Sequence, residues 1–354
     1  SRQWRQVSHP QEVDTHSRLE HESQALFGAS ILTSPSTPFS LGPRTKVFVA
    51  GGSGLVGSAV VRELGRQGVE KIDAPSSAEL NLLDREKVFS YLTQTKPDVI
   101  IDAAARVGGI HANNTYPAEF LSNNLRIQVN LMDAAGQADI ERFVFLGSSC
   151  IYPKFAPQPM PESSLLSGEL EPTNSAYAVA KIAGIQQVQA HRKQYGRNWI
   201  SAMPTNIYGP GDNFHPEDSH VVPALLRRVH EAKERGDDEV VIWGTGSPLR
   251  EFLYSDDLAR AIVFLAEHYD SGEIINVGSG EEVSIKELAE TVAAVVGFGG
   301  KLTFDSSKPD GTPRKRLDTS RLEALGWAAQ TSLKDGLSTT YEWFLQHKDD
   351  YRGR

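Results

Sequence analysis

Lys46-Val47-Phe48-Val49-Ala50-Gly51-Gly52-Ser53-Gly54-Leu55-Val56-Gly57 carries an apolar, β-branched run directly into a glycine turn. The residues from Ser58 to Gln67 then read as a helix. Strand, tight turn and helix in that order leave unpaired N–H groups at the helix start, where the dipole also favours an anion. Glycines at 51, 54 and 57 allow the backbone to approach a pyrophosphate closely. Gly51, Gly52, Ser53, Gly54, Leu55, Val56 and Gly57 are therefore the first candidate cofactor contacts. A glycine turn alone often does no more than tighten a loop. Its place between a buried strand and a helix is what points to a nucleotide.

Further strands and helices alternate downstream. A second strand spans about Glu70 to Ala74, and a helix runs from about Arg85 to Thr95 with Asp84 as its N-cap. The end of the second strand commonly reads the adenosine ribose, an acid favouring NAD and a base NADP. Asp73 falls slightly early and no arginine follows, so these residues leave the choice open. The third strand, Asp98–Asp102, runs into Ala103-Ala104-Ala105, whose small side chains suit either close approach to a cofactor or tight packing. Pro117 opens a helix to about Gln137, and Phe120, Leu121, Leu125, Val129, Met132 and Ala135 form its apolar stripe, a core or dimer face. Arg142–Leu146 is the fourth strand and Trp199–Met203 the fifth. This alternation predicts an α/β fold, a Rossmann-type doubly wound parallel sheet. The expected division is a poorly ordered extension at 1–44 and a dinucleotide-binding domain at 45–206, completed by segments near 251–280. A smaller C-terminal α/β substrate-binding domain takes 207–250 and 281–346.

Bulk properties narrow the function. The chain has 354 residues, 23% charged and 39% hydrophobic, with a net charge of -9, so a nucleic-acid or anionic-membrane partner is not expected. No apolar run approaches the roughly 18 to 20 residues that cross a bilayer. One cysteine allows no intrachain disulfide and suits a reducing, cytoplasmic setting. His215 and His220 lack a third ligand at metal-like spacing, so no metal is expected. The extension at 1–44 shows no sustained period, and its acids at 12, 14, 20 and 22 fit a transit peptide poorly.

The chemistry centres on Ser175-Ala176-Tyr177-Ala178-Val179-Ala180-Lys181. Four residues separate Tyr177 from Lys181, so on a helix both lie on one face, where an ammonium would lower the phenol's pKa. Of the ten tyrosines only Tyr177 has a lysine at that distance. Such a pair can also be a plain solvated face. Gly147-Ser148-Ser149-Cys150 sits at the carboxyl end of the fourth strand, where open parallel sheets bind ligands. If the chain stays extended there, Ser148 and Cys150 point the same way. Taken alone, a lone cysteine reads as a small buried hydrophobe.

Together, the glycine turn, Ser148, Tyr177 and Lys181 resemble the extended short-chain dehydrogenase/reductase family, whose members act on nucleotide sugars. Ala105-Arg106-Val107-Gly108-Gly109-Ile110, Asn113-Asn114-Thr115-Tyr116-Pro117, Gly147 to Pro153, Pro204-Thr205-Asn206, Asp212-Asn213-Phe214-His215 and Lys308 to Lys315 look like the GDP-L-fucose synthases within it. The resemblance spans about Lys46 to Phe344 and implies epimerisation of GDP-4-keto-6-deoxy-D-mannose at carbons 3 and 5, then reduction at carbon 4 with NADP(H). It assigns Cys150 and His220 to proton exchange, Tyr177 to proton donation, Ser148 to the same oxygen, and Lys181 to Tyr177 and the nicotinamide ribose. It also places Ser77, Pro204, Thr205, Asn206, Ile207 and His220 at the cofactor, with Ser53 and Ser77 standing where some members have arginines. Arg228, Trp243, Arg250 and Asp310 would hold the GDP-sugar, and the assembly would be a homodimer. Rival readings are a 4-epimerase, a dehydratase, which expects an acid pair where this chain has Ser148-Ser149-Cys150-Ile151, and a non-catalytic dinucleotide-binding protein.

Overall fold

The computed structural model describes residues 39–308 and 310–348. Most of the expected extension, residues 1–38, lies outside the described residues. The remainder of that segment joins the folded unit: Phe39 and Leu41 pack on the core, and the Leu41 N–H donates to the Glu267 carboxylate at 2.8 Å.

The chain opens with β1 (Lys46–Ala50), α1 (Leu55–Arg66), β2 (Lys71–Asp73), α2 (Arg85–Thr95) and β3 (Val99–Asp102). Then come α3 (Ile110–Thr115), α4 (Pro117–Gln137), β4 (Arg142–Leu146), α5 (Ser175–Tyr195), β5 (Asn198–Pro204) and β6 (Asn206–Tyr208). Next are α6 (Val221–Arg235), β7 (Glu239–Trp243), β8 (Leu249–Arg250), β9 (Phe252–Tyr254), α7 (Ser255–His268) and β10 (Ile275–Val277). The chain ends with β11 (Val283–Ser284), α8 (Ile285–Val296), β12 (Lys301–Asp305), β13 (Arg314–Lys315), α9 (Ser320–Ala324) and α10 (Leu333–His347). Asp84 caps α2 as expected, its carboxylate accepting from Lys87 N at 3.2 Å.

Six parallel strands form the central sheet in the order β10-β5-β4-β3-β1-β2. Strand order reverses between β1 and β3, and that crevice at the carboxyl ends is where such sheets bind ligands. Side-chain alternation distributes the strands between two cores. Val47, Val49, Val99, Ile101 and Val144 join α1 and α7 in one cluster. Phe48, Ile100, Phe143 and Phe145 join α2, α4 and α5 in the other. The expected α4 stripe divides: Phe120, Met132 and Ala135 are core, Leu121 and Leu125 half-buried, and Val129 exposed.

After β5 the chain leaves the sheet at Thr205, and β6 pairs with β9 instead. A third cluster forms from α6, β7, α8 and α10, around Leu226, Val229, Ile242, Leu288, Leu337 and Phe344. β10 returns to the central sheet beside β5.

Gly184 of α5 sets how closely that helix meets the sheet. A Cβ there would lie 2.3 Å from the tip of the Phe145 ring. Ring and backbone are both hemmed in, so overpacking outweighs the better helix propensity of alanine. Gly184→Ala is expected to destabilise the protein by about 1–3 kcal/mol in urea unfolding, with the slope of the transition unchanged.

Candidate active site

The glycine turn fits a bound pyrophosphate. Gly51 has φ of +74°, and a Cβ on it would press within 2.9 Å of Ala104 Cα. A Cβ on Gly57 would lie 2.1 Å from the Gly51 carbonyl oxygen. Gly54 N–H donates to that same oxygen at 2.8 Å, and Gly54, the N-cap of α1, offers no side chain to the helix start. Backbone amides at the end of a twelve-residue helix thus stand over the crevice between β1 and β3 without a capping side chain. At the end of β2, Asp73 accepts a hydrogen bond from Tyr91 OH at 2.8 Å; burial first, and this bond second, push that phenol up to about 12. This bond engages one oxygen of Asp73 and, among the described residues, leaves the other free. Ser76 is held by Glu79 through both its N–H and its hydroxyl at 2.7 Å, leaving the neighbouring Ser77 exposed.

Tyr177 and Lys181 sit on the first two turns of α5. The lysine is 4% exposed, and its ammonium donates to the Leu146 carbonyl at 2.8 Å. The same Nζ lies 5.0 Å from the Phe145 ring centre and 5.9 Å from that of Tyr177. One correction follows. The phenol of Tyr177 is pushed up, not down: burial acts first, the nearby Cys150 second, and Ser148 opposes both. Helical spacing does place the cation beside the ring, but withdrawal from water dominates.

Ser148 and Cys150 come together by a different route from the one expected. The chain does not stay extended after β4; Ser149–Ile151 forms a 3₁₀ turn, and Ser148 caps it, its Oγ accepting from Cys150 N at 3.2 Å. Nor is Cys150 a plain buried hydrophobe. Its sulfur accepts from Asn174 Nδ2 at 3.3 Å and from Lys315 Nζ at 3.8 Å. Both partners escape a local reading, since Lys315 lies 165 residues away and Asn174 looks like loop punctuation. No spacing rule signals either.

His220 is the N-cap residue of α6. Its loop is fastened to the chain after β3, because Gly109 N–H donates to the Asp218 carbonyl at 3.1 Å while Asn113 Nδ2 donates to the carbonyls of Gly108 and Gly109. Crowding pushes the imidazole below its usual range, although the residue keeps solvent access.

The four expected substrate residues gather around β7 and β8. Arg228 donates to the Val241 carbonyl, two residues before Trp243. Trp243 is 70% exposed, with Lys308 Nζ 5.5 Å from its ring centre. Asp310 accepts from Thr245 N and Oγ1 at 2.9 and 2.7 Å and partly offsets the burial that pushes Arg250 down. Arg250 of β8 is in parallel register with Lys315 of β13. One strand therefore links the arginine cluster to the Cys150 sulfur. Pro204 and Ile207 flank Thr205 and Asn206, whose side chains both donate to the Glu251 carbonyl.

A family model described as the NAD dependent epimerase/dehydratase family matches residues 47–278. GDP-L-fucose synthase 1 of Arabidopsis thaliana is 60% identical over 302 residues, covering 85% of this chain and 94% of that protein. GDP-L-fucose synthase of Escherichia coli (strain K12) is 51% identical over 319 residues, 88% of this chain and 99% of its own. A solved gdp-l-fucose synthetase from Naegleria fowleri bound to NADP superposes with a TM-score of 0.83 at 29% identity, over 90% of this chain and 97% of that one. The glycine turn supplies a direct test of the crevice. Gly57→Ala is expected to weaken dinucleotide binding by at least about tenfold in a fluorescence titration, since the Cβ displaces the Gly51 carbonyl that orders the turn.

Proposed function

Because the chain belongs to the NAD dependent epimerase/dehydratase family, the extended short-chain dehydrogenase/reductases, we propose that it carries out the two-stage conversion of GDP-4-keto-6-deoxy-D-mannose to GDP-L-fucose. Epimerisation at carbons 3 and 5 precedes reduction of the 4-keto group, and NADP(H) is the cofactor. The observation that carries this reading is Cys150 with a cationic donor and an amide donor on its sulfur, beside Ser148 and Tyr177. A plain reductase has no use for the thiol.

When bound, NADPH supplies the hydride to carbon 4. Residues Gly51 to Gly57 and the start of α1 would hold its pyrophosphate, with Ser77 toward the adenosine end and Lys181, His220 and the 204–207 segment toward the nicotinamide. The GDP-sugar lies across the remaining groups, its diphosphate meeting Arg228 and Arg250, with Trp243 and Asp310 beside it. These belong to the smaller substrate-binding part, residues 207–250 and 281–346.

Hydrogens on carbons 3 and 5 are acidified because the carbanion left behind delocalises onto the 4-keto oxygen. Inverting each centre needs removal of a proton on one face and delivery on the other. Cys150 and His220 form that pair. An imidazole pushed down by crowding is neutral at pH 7 and free to accept a proton. Lys315 and Asn174 orient the sulfur and meet negative charge as it develops there. Ser148 holds the 4-oxygen, first as enolate and then as alkoxide, and Tyr177 gives the alkoxide its proton. A phenol pushed up by burial keeps that proton until the alkoxide forms. The assembly in this reading is a cytoplasmic homodimer, with the exposed Val129 of α4 and Val179 of α5 as apolar surface for the partner.

The decisive experiment follows NADPH absorbance with GDP-4-keto-6-deoxymannose as substrate. Oxidation of the cofactor is expected, and absence of turnover with both NADPH and NADH removes the reading. Tyr177→Phe should lose hydride transfer by at least about a hundredfold and retain deuterium exchange beside the ketone. Cys150→Ser and His220→Asn should lose the exchange. Lys315→Met is expected to slow exchange about tenfold or more, with a smaller effect on NADPH binding; equal exchange in wild type and variant would separate Lys315 from the sulfur's chemistry.

A further inference from the structure

Asp102 ends β3 in a place where its strand neighbours are apolar. Val99 and Ile101 face the α1 side, and Ile100 faces the α4 and α5 side, so alternation sends the Asp102 side chain toward α5 as well. Its register partners on β1 and β4 are Ala50 and Phe145, both in the same cluster as Ile100. Lys181 holds its ammonium 5.0 Å from the ring centre of that same Phe145. The carboxylate is 1% exposed. Oδ1 accepts from Ala104 N at 3.2 Å, and Oδ2 has no hydrogen-bond partner among the described residues. A buried carboxylate oxygen in that state is costly unless a charge meets it.

We propose that Asp102 is a positioning residue of the reductive step: its carboxylate is the counter-charge that keeps the Lys181 ammonium charged and fixed beneath Tyr177. The assignment rests on the reductase reading above. Lys181 is the charged group acting on Asp102; β1 and β4 contribute uncharged side chains. From α4, the buried Gln128 is uncharged and donates to the Ala180 carbonyl beside Lys181 at 2.7 Å. Cys150 acts on Tyr177 and does not act on Asp102 or Lys181. Burial raises Asp102 to about 6, against the pull of Lys181, so it is ionised at neutral pH and above. Burial pushes Lys181 down, and Asp102 is what resists this. Without that anion the ammonium gives up its proton at lower pH. The cation then vanishes from beside Tyr177 in the alkaline range, and the phenolate left when Tyr177 gives up its proton loses the charge that stabilises it.

The test compares wild type with Asp102→Asn and Asp102→Leu over pH 6 to 10, measuring hydride transfer in single turnover and deuterium exchange beside the ketone. The alkaline limb of hydride transfer should move down by about one pH unit or more, roughly tenfold in rate at the alkaline end, while exchange stays unchanged. A role in packing alone would leave the limb in place. A second measurement uses thermal denaturation of Asp102→Asn, Lys181→Met and the double variant, where the two substitutions should be non-additive. Additive stabilities, or an alkaline limb unmoved in the Asp102 variants while the wild type turns over, overturn the assignment alone. A wild type that fails to oxidise NADPH overturns the reductase reading and this assignment with it.

Discussion

An ammonium group removed from water costs several kcal/mol unless its protons and charge are met nearby. Lys181 meets part of that demand with the Leu146 carbonyl at the last residue of β4 and with the Phe145 ring one residue before. The bond fixes the rotation and height of α5 over the sheet, because sliding the helix by one residue would leave the charge without a partner. Gly184 makes the arrangement possible one turn later by letting the helix backbone approach the same ring. Tyr177, four residues before Lys181, therefore has its position set by a buried charge.

A second buried acid sets the other half of the site. Glu251 is fully buried, and its two carboxylate oxygens accept from Gly280 N and Leu317 N, both at 2.9 Å. Its carbonyl accepts from Thr205 and Asn206. Gly278 has to be glycine, since a Cβ there would lie 2.3 Å from the carboxylate. One residue thus joins the end of β5, the start of β9 and the segment after β13. Lys315 stands two residues before Leu317, so the carboxylate that anchors Leu317 also sets the reach of Lys315 toward Cys150.

How much of this was legible in the sequence depended on the range of the interaction concerned. The glycine turn, Asp84 as a cap, the bounds of α4 and α5, and the pairing of Tyr177 with Lys181 all rest on contacts within a few residues, which periodicity and capping rules encode. The partners of Cys150 were hidden because one comes from a loop and one from a two-residue strand far along the chain. The direction of the Tyr177 shift was hidden for a different reason. Spacing reports a neighbouring cation, whereas burial belongs to the whole assembled layer and outweighs it. Asp73 falls slightly early for a ribose acid in sequence, and only the structure shows that one of its oxygens is taken by the Tyr91 hydroxyl eighteen residues on.

The two stages of the reaction draw on these two kinds of order. Proton donation to the 4-oxygen needs one acid in one place, and a helix turn resting on a buried charge can supply it. Proton exchange at two carbons needs groups on opposite faces of a sugar ring, a requirement that no single helix or strand can meet, because side chains on one element share a narrow range of directions. Cys150 follows β4, while His220 opens α6, in a loop bonded through Asp218 to Gly109 after β3. The cysteine's sulfur is steadied from α5's approach and from β13. Groups carried on separate elements are free to approach a bound ring from different sides, and in the proposed reaction this leaves the exchange step dependent on long-range ties such as Glu251, where the reductive step depends on a helix and the strand beneath it.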